Sequence, residues 1–182
     1  MSRRTIPSPA KLLVSVIYLE EGRFREVLHR IEALLGEVER TSVPFPFDRT
    51  DYYEREMGAP LHRRFAVMGK PVRRDALALA KVRMEELEKE FSVDGRRTVN
   101  LDPGLLTEEN FILATGKNYS HRVYLGDGVF ADLTLTYSRG EYRPLPWTYP
   151  DFASDGIRAF LVEVRAAFRE AGKQKTREER CG

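Results

Sequence analysis

LLVSVIYLEEGRFREVLHRIEALLG, residues 12–36, decides how the rest of the chain is read. Its first eight residues are apolar and rich in β-branched side chains, the pattern of a strand buried on both faces. The spacing then changes. Phe24, Val27, Leu28, Ile31, Leu34 and Leu35 recur every three or four residues, which predicts a helix with one apolar stripe, and Gly36 is a natural stop. A basic start followed by an apolar run also invites a signal-peptide reading. The run from Leu12 to Leu19 is too short to span a bilayer, no small-residue cleavage site follows it, and a central strand is the better account.

Further along, EVERTSVPF (37–45) reads as a strand that Pro44 brings to an edge, and LHRRFAVMG (61–69) as another. A helix is expected from Asp75 to Phe91. Leu77, Ala80, Met84, Leu87 and Phe91 line its inner side, with Glu85, Glu86, Glu88, Lys89 and Glu90 facing water. RRTVNLD (96–102) closes the unit as a strand. The order β-α-β-β-α-β predicts an α+β protein with a ferredoxin-like core, two helices on one face of an antiparallel sheet. Thr107, with Glu108 and Glu109 behind it, predicts a short capped helix. Three strands then form a meander, SHRVYL, VFADLTLTY and EYRPL, and a C-terminal helix starts near Asp155. Residues 1–10 read as a basic arm, 11–172 as one domain and 173–182 as a charged tail.

Register follows from the turns. In LGDGV a three-residue loop keeps Val123 and Leu125 beside Val129, Ala131, Leu133 and Leu135, and so sets Arg122 opposite Asp132. The same pattern puts His121 on the apolar face. The turn at Arg139 and Gly140 sets Thr136 opposite Arg143 and Asp132 opposite Trp147. One sheet face then carries Ser120, Arg122, Asp132, Thr134, Thr136, Arg143 and Trp147, either a solvated face with ion pairs or a platform for a ligand.

The 182 residues carry a net charge of +2, so no global field selects nucleic acid or membrane. Cys181 is the single cysteine. That precludes an internal disulfide and fits a reducing cytoplasm. Four segments concentrate chemistry. PFPFDRTDYYEREMG (44–58) crowds Asp48, Asp51, Glu54 and Glu56 among tyrosines. Such repulsion is relieved by Mg²⁺ on Asp48, Asp51 and Glu56, by arginines, or by water. NLDPG (100–104) reads as a turn that leaves Asp102 at a strand end. TGKNYSHR (115–122) joins Gly116 to Lys117, Ser120 and Arg122, a composition suited to phosphate. PLPWTYPD (144–151) holds Trp147 on a proline-stiffened arm. No P-loop, zinc, nucleophile-elbow or dinucleotide motif is found in the sequence.

The same segments, read as PFPFDRTDYYEREMG, VNLDPGLLT, ATGKNYSHRVYLGDGVFADLTL and PLPWTYPD, resemble the bacterial family known as domain of unknown function 4416, from about Lys11 to past Asp151. The resemblance implies no established activity and supplies no catalytic residues. Some members carry the label GTP-binding protein, but this chain has neither a P-loop nor the Asn-Lys-x-Asp guanine motif.

Together these features predict binding, with or without hydrolysis or transfer, of a phosphorylated or nucleotide-like small molecule. Lys117, Arg122 and Arg64 would hold the anion, with Ser120 and Asp132 beside them. Trp147 or Tyr53 would stack on the planar part. Asp102 and Asp48 would act as acid or base, and Asp48, Asp51 and Glu56 would hold Mg²⁺. The alternatives are an RNA-binding sheet, which would display aromatic residues, and a protein-interaction domain without catalysis.

Overall fold

The computed structural model describes residues 3–181, with side chains through residue 174. It is a mixed α+β structure of four helices and a nine-stranded antiparallel sheet. The opening run forms β1 (Lys11–Tyr18), every residue of which is buried. The helical spacing after it forms α1 (Glu21–Leu35), which ends at Gly36 with φ 98°. Phe24, Val27 and Ile31 are its buried face, each contributing about 1.5–3 kcal/mol by leaving water.

Next come β2 (Val38–Thr41), β3 (Phe45–Pro46), the one-turn helix α2 (Glu54–Met57) and β4 (His62–Met68). The strand expected over 37–45 is broken: residues 42–44 leave the sheet before Pro44, and Val43 is exposed. α3 (Leu77–Glu90) leads to β5 (Val99–Leu106). β6 (Asn110–Thr115), β7 (Arg122–Gly126), β8 (Val129–Ser138), β9 (Glu141–Pro144) and α4 (Asp155–Cys181) complete the chain. α4 takes in the stretch expected as a tail; the Cys181 side chain lies outside the described residues.

The sheet order is β2-β4-β1-β5-β6-β8-β7. α1 and α3 pack on one face of β1, against Leu12, Val14 and Val16. α4 packs on the other, where Leu13, Phe65 and Val67 meet Ile157, Leu161 and Val164. A third cluster seats Phe47, Met57 and Leu61 on Ile17. β7 and β9 lie end to end along the outer edge of β8.

Several sequence-based expectations do not hold in the structure. The helix after Thr107 does not form. β5 and β6 make a hairpin, and Thr107 Oγ1 accepts from the N–H groups of Glu109 and Asn110, a side-chain turn that offers those donors a partner without a helix. Asp-Pro-Gly is not a turn but the middle of β5, with Pro103 opposite Val14 and Gly104 opposite Leu13. Strand alternation explains why proline fits. Leu101 turns its N–H and C=O away from β1, and Pro103, two residues on, faces the same uncovered edge, where a missing donor breaks no ladder bond. Val123 and Leu125 are exposed rather than core, because β7 is the last strand and has no neighbour beyond it.

The expected pairs Arg122–Asp132 and Thr136–Arg143 both occur. The first is reached through a bulge: Gly126 pairs with Val129, and Leu125 is the extra residue. A second bulge, at Thr134, changes the alternation of β8, so Asp132 and Leu135 share one face with Leu113 and Phe111. Trp147 does not pair with Asp132, since β9 ends at Pro144.

Gly104 marks the tightest crossing. A Cβ there would stand 2.8 Å from Phe111 Cζ and 3.0 Å from the Ile112 carbonyl oxygen. Gly104→Ala is expected to destabilise the protein by about 1–3 kcal/mol in chemical denaturation. An unchanged midpoint would show that Phe111 moves aside freely.

Candidate functional site

The site begins with a split in the sheet. β5 pairs with β6 only at Gly104, Leu105 and Leu106. From residue 103 back to 99, β5 has β1 on one side and no strand on the other among the described residues. Backbone polar groups on such an edge need partners, and α3 supplies them. Glu88 Oε1 accepts from the Leu101 N–H at 2.5 Å, and Lys81 Nζ donates to the Leu101 carbonyl at 3.1 Å. Lys81 also donates to Asp102 Oδ1 at 2.9 Å, while Asn100 Nδ2 donates to Asp102 Oδ2 at 2.6 Å. Leu77, Lys81, Met84, Glu88 and Phe91 are spaced three or four apart, so Lys81 and Glu88 lie in the inner stripe of α3. Glu88 therefore does not face water as expected; it is buried.

The split opens into a cavity of about 880 Å³. Its walls are α3, the open edge of β5, β6, and the loops around residues 47–53, 115–122 and 147–152. Half of the buried polar or charged residues of the described chain line it: Arg63, Lys81, Glu88, Asn100, Asp132 and Asp151. Buried charge is costly unless paired, and these groups are paired. Arg63 and Asp151 stand 2.6 Å apart as an ion pair, with the guanidinium between the rings of Phe47 (5.1 Å) and Phe152 (4.5 Å). Arg63 also donates to the Ser15 hydroxyl. Arg122 donates to Asp132 at 2.8 Å, to the Lys117 carbonyl at 2.9 Å and to the Tyr149 hydroxyl at 3.0 Å.

The electrostatics follow from these contacts. Burial pushes the Glu88 carboxyl up to about 7 against the pull of Lys81 and the Leu101 N–H. Burial also works against charge on Asp102, yet Lys81, Arg63 and Asn100 hold its carboxyl below the ordinary range. Lys81 itself stays above the usual lysine value, the charges of Asp102 and Glu88 outweighing its desolvation. Tyr53 is pushed up by burial and by the charge of Asp102. At the rim, Lys117 donates to the Tyr52 hydroxyl at 2.9 Å, which lowers the phenol.

Of the residues named from sequence, Tyr53, Asp102, Lys117, Arg122, Asp132 and Trp147 come together around the cavity. Trp147 stacks on His121 at 5.0 Å and 15°, and its Nε1 donates to the Leu133 carbonyl at 2.8 Å. His121 is not on the apolar face. It precedes β7, where strand alternation does not apply, and it stands 3.3 Å from Asp132 and stacked also on Tyr119. The others lie elsewhere. Arg64 points to the α1 face, tied to Glu21, Thr41 and the Ser42 carbonyl. Ser120 is exposed and does not line the cavity. Asp48 forms an ion pair with Arg49 at 3.7 Å and is otherwise exposed, and Asp51 is exposed. Glu56 is held by Arg97 through both carboxylate oxygens. Among the described residues no group of three or more acids, histidines or cysteines is placed to hold a metal ion.

Sequence reasoning missed Lys81, Glu88 and the Arg63–Asp151 pair. The signals were available: charged residues at stripe positions of a helix, and an arginine in step with Phe65 and Val67 along β4.

The fold and cavity together define an α+β protein with an open-mouthed, charged, aromatic-walled chamber at a split in its sheet. The chain belongs to the family described as Domain of unknown function (DUF4416), whose model matches residues 8–168. No curated protein and no solved structure matches it. No helix among the described residues is long and apolar enough to cross a membrane.

Glu88 allows a direct check. A carboxyl whose folded value lies above its ordinary 4.5 stabilises the fold while protonated. That contribution is complete below about pH 4.5 and is lost as pH rises through about 7. Glu88→Gln keeps the acceptor for the Leu101 N–H but cannot ionise. Wild type is expected to lose stability relative to this variant across that window, by on the order of 3 kcal/mol. Parallel pH–stability curves for the two proteins would count against it.

Proposed function

We propose that this protein binds a phosphorylated, nucleotide-like small molecule in the chamber, on a ferredoxin-like split βαβ core and in the cytoplasm. The core assignment is supported by the antiparallel order β2-β4-β1-β5 with α1 and α3 on one face; the compartment rests on the lone cysteine. The observation that carries the functional reading is the convergence of buried charge on one cavity. Each of Arg63, Lys81, Glu88, Asp132 and Asp151 has a structural partner, but their convergence on one cavity goes beyond what those bonds require, and such clusters mark sites of binding or chemistry.

The anion belongs at the rim. Lys117 and Lys89 line the cavity there without a carboxylate partner among the described residues, whereas Arg63, Arg97 and Arg122 are already paired. The planar part belongs inside, among Tyr53, Tyr119, Trp147 and Tyr149. Asp48, Asp51 and Glu56 do not converge, so in this reading Mg²⁺ arrives on the ligand's phosphates. The small-molecule reading is preferred to RNA binding because α1 and α3 cover one face of the sheet and α4 the other, which leaves no open sheet face around β1 for stacked bases.

A thermal-shift panel of nucleotides and sugar phosphates, with and without Mg²⁺, tests this. A ligand at a hundred times its dissociation constant adds about 2.7 kcal/mol to the native state. Lys117→Ala, at an exposed side chain, is expected to diminish the shift about tenfold in apparent affinity while leaving the unliganded melting temperature in place. A flat panel would sink the reading.

A further inference from the structure

The bonds already made inside the chamber show which atoms are left over. Both oxygens of Asp102 are taken, by Lys81 and Asn100. Asn100 is spent on Asp102 and on Arg97 at 3.3 Å. Lys81 is spent on Asp102 and the Leu101 carbonyl. Glu88 differs. Its Oε1 accepts from the Leu101 N–H, but Oε2 has no hydrogen-bond partner among the described residues, although the side chain is buried and lines the cavity. Arg63 Nε is also without a hydrogen-bond partner among the described residues, but its guanidinium is committed to Asp151 and Ser15; the Tyr53 hydroxyl is a further unspent group. Its ring is fixed against Phe47 at 5.8 Å and under the Arg97 guanidinium at 5.3 Å, and its oxygen has no hydrogen-bond partner among the described residues. The phenol is near enough to Asp102 and Glu88 to feel their charges.

A carboxylate oxygen accepts; a phenol held in its protonated form donates. An unspent acceptor and an unspent donor lining one cavity, near enough for the phenol to feel the carboxylate's charge, are complementary to a ring edge that presents an N–H beside a ring nitrogen or a carbonyl. Nucleobases carry such an edge, and sugars and polyphosphates do not. Leaving such groups unpaired on binding the wrong ligand is what gives polar sites their discrimination. Resting on the nucleotide-like reading above, we infer that the ligand enters base first, with the base edge read by Glu88 Oε2 and the Tyr53 hydroxyl on the chamber floor and the phosphate left at the rim beside Lys117. Glu88 and Tyr53 are then specificity-determining residues, and the ligand class narrows to nucleotides rather than sugar phosphates.

The test is calorimetric binding at pH 8, where Glu88 is ionised, with AMP, GMP, CMP, UMP and ribose 5-phosphate as probes. Wild type is expected to bind at least one nucleoside monophosphate tenfold or more tightly than ribose 5-phosphate. Glu88→Gln turns the free acceptor into a donor while keeping the bond to Leu101. Tyr53→Phe removes the donor while keeping the ring. Each is expected to cut the margin about tenfold and to leave ribose 5-phosphate binding unchanged. Tyr53→Phe keeps the inference open to refutation should Glu88→Gln fold poorly. Equal binding of nucleotides and ribose 5-phosphate would overturn the inference but spare the phosphate-binding function; so would a margin that survives both substitutions. If none of the probes binds, both fall.

Discussion

The parting of β5 from β6 is the constraint on which the chamber depends. An antiparallel sheet that continued would satisfy Leu101 with a neighbouring strand and leave no space. Instead the ladder stops at Gly104, and the N–H and C=O of Leu101 go to Glu88 and Lys81 of α3. Lys81 and Glu88 are drawn into the interior because an open strand edge needs them. The same two residues then carry charge into the cavity, so the repair of the edge and the polarity of the site are one arrangement. Pro103 suits the split for a related reason: it withholds a donor where no acceptor strand is available.

A second buried pair holds the opposite wall. Arg63 lies on β4 and Asp151 on the segment before α4, so their contact ties the sheet to the last loop across the cavity's back. Guanidinium between two phenyl rings is a favourable setting for a cation short of water. Loss of one partner would leave the other charged and buried, which costs more than the pair contributes. Asp132 plays the same part for Arg122, which in turn holds the Lys117 carbonyl and the Tyr149 hydroxyl. The rim loops are thus hung from paired charges rather than from strand ladders.

Much of this was legible in the sequence, and what was not shares a cause. Periodicity identified β1, α1, α3 and α4 because each buries a continuous apolar face. The Arg122–Asp132 register followed from hydrophobic alternation, though the bulge at Leu125 that produces it did not. β6 was missed because FILAT is short and follows acidic residues that favour a helix start. Asp-Pro-Gly misled because local turn propensity was outweighed by pairing with β1 along the whole of β5. In the site, Tyr53, Asp102, Lys117, Arg122, Asp132 and Trp147 were found because their segments are locally odd. Lys81 and Glu88 were not, because a charged residue on a helix is ordinarily read as solvent-facing, and only the open edge of β5 gives it a reason to turn inward.

The distribution of paired and unpaired charge gives the chamber a direction. Toward the floor every cation is matched: Arg63 by Asp151, Lys81 by Asp102, Arg97 by Glu56. At the mouth the Lys117 ammonium, among the described residues, rests on a tyrosine hydroxyl and ring, a weak contact that an anion would replace with a stronger one. An anionic group moving inward would therefore leave free ammonium donors for sites whose cations are already neutralised and whose remaining unspent atoms include a carboxylate oxygen. In the proposed reading, that loss would hold the anion at the rim. A neutral ring would meet no such barrier; on the proposed reading it would exchange water for the faces of Tyr53 and Phe47. In the proposed reading, the orientation of a nucleotide-like ligand would thus follow from which charges the protein has already spent.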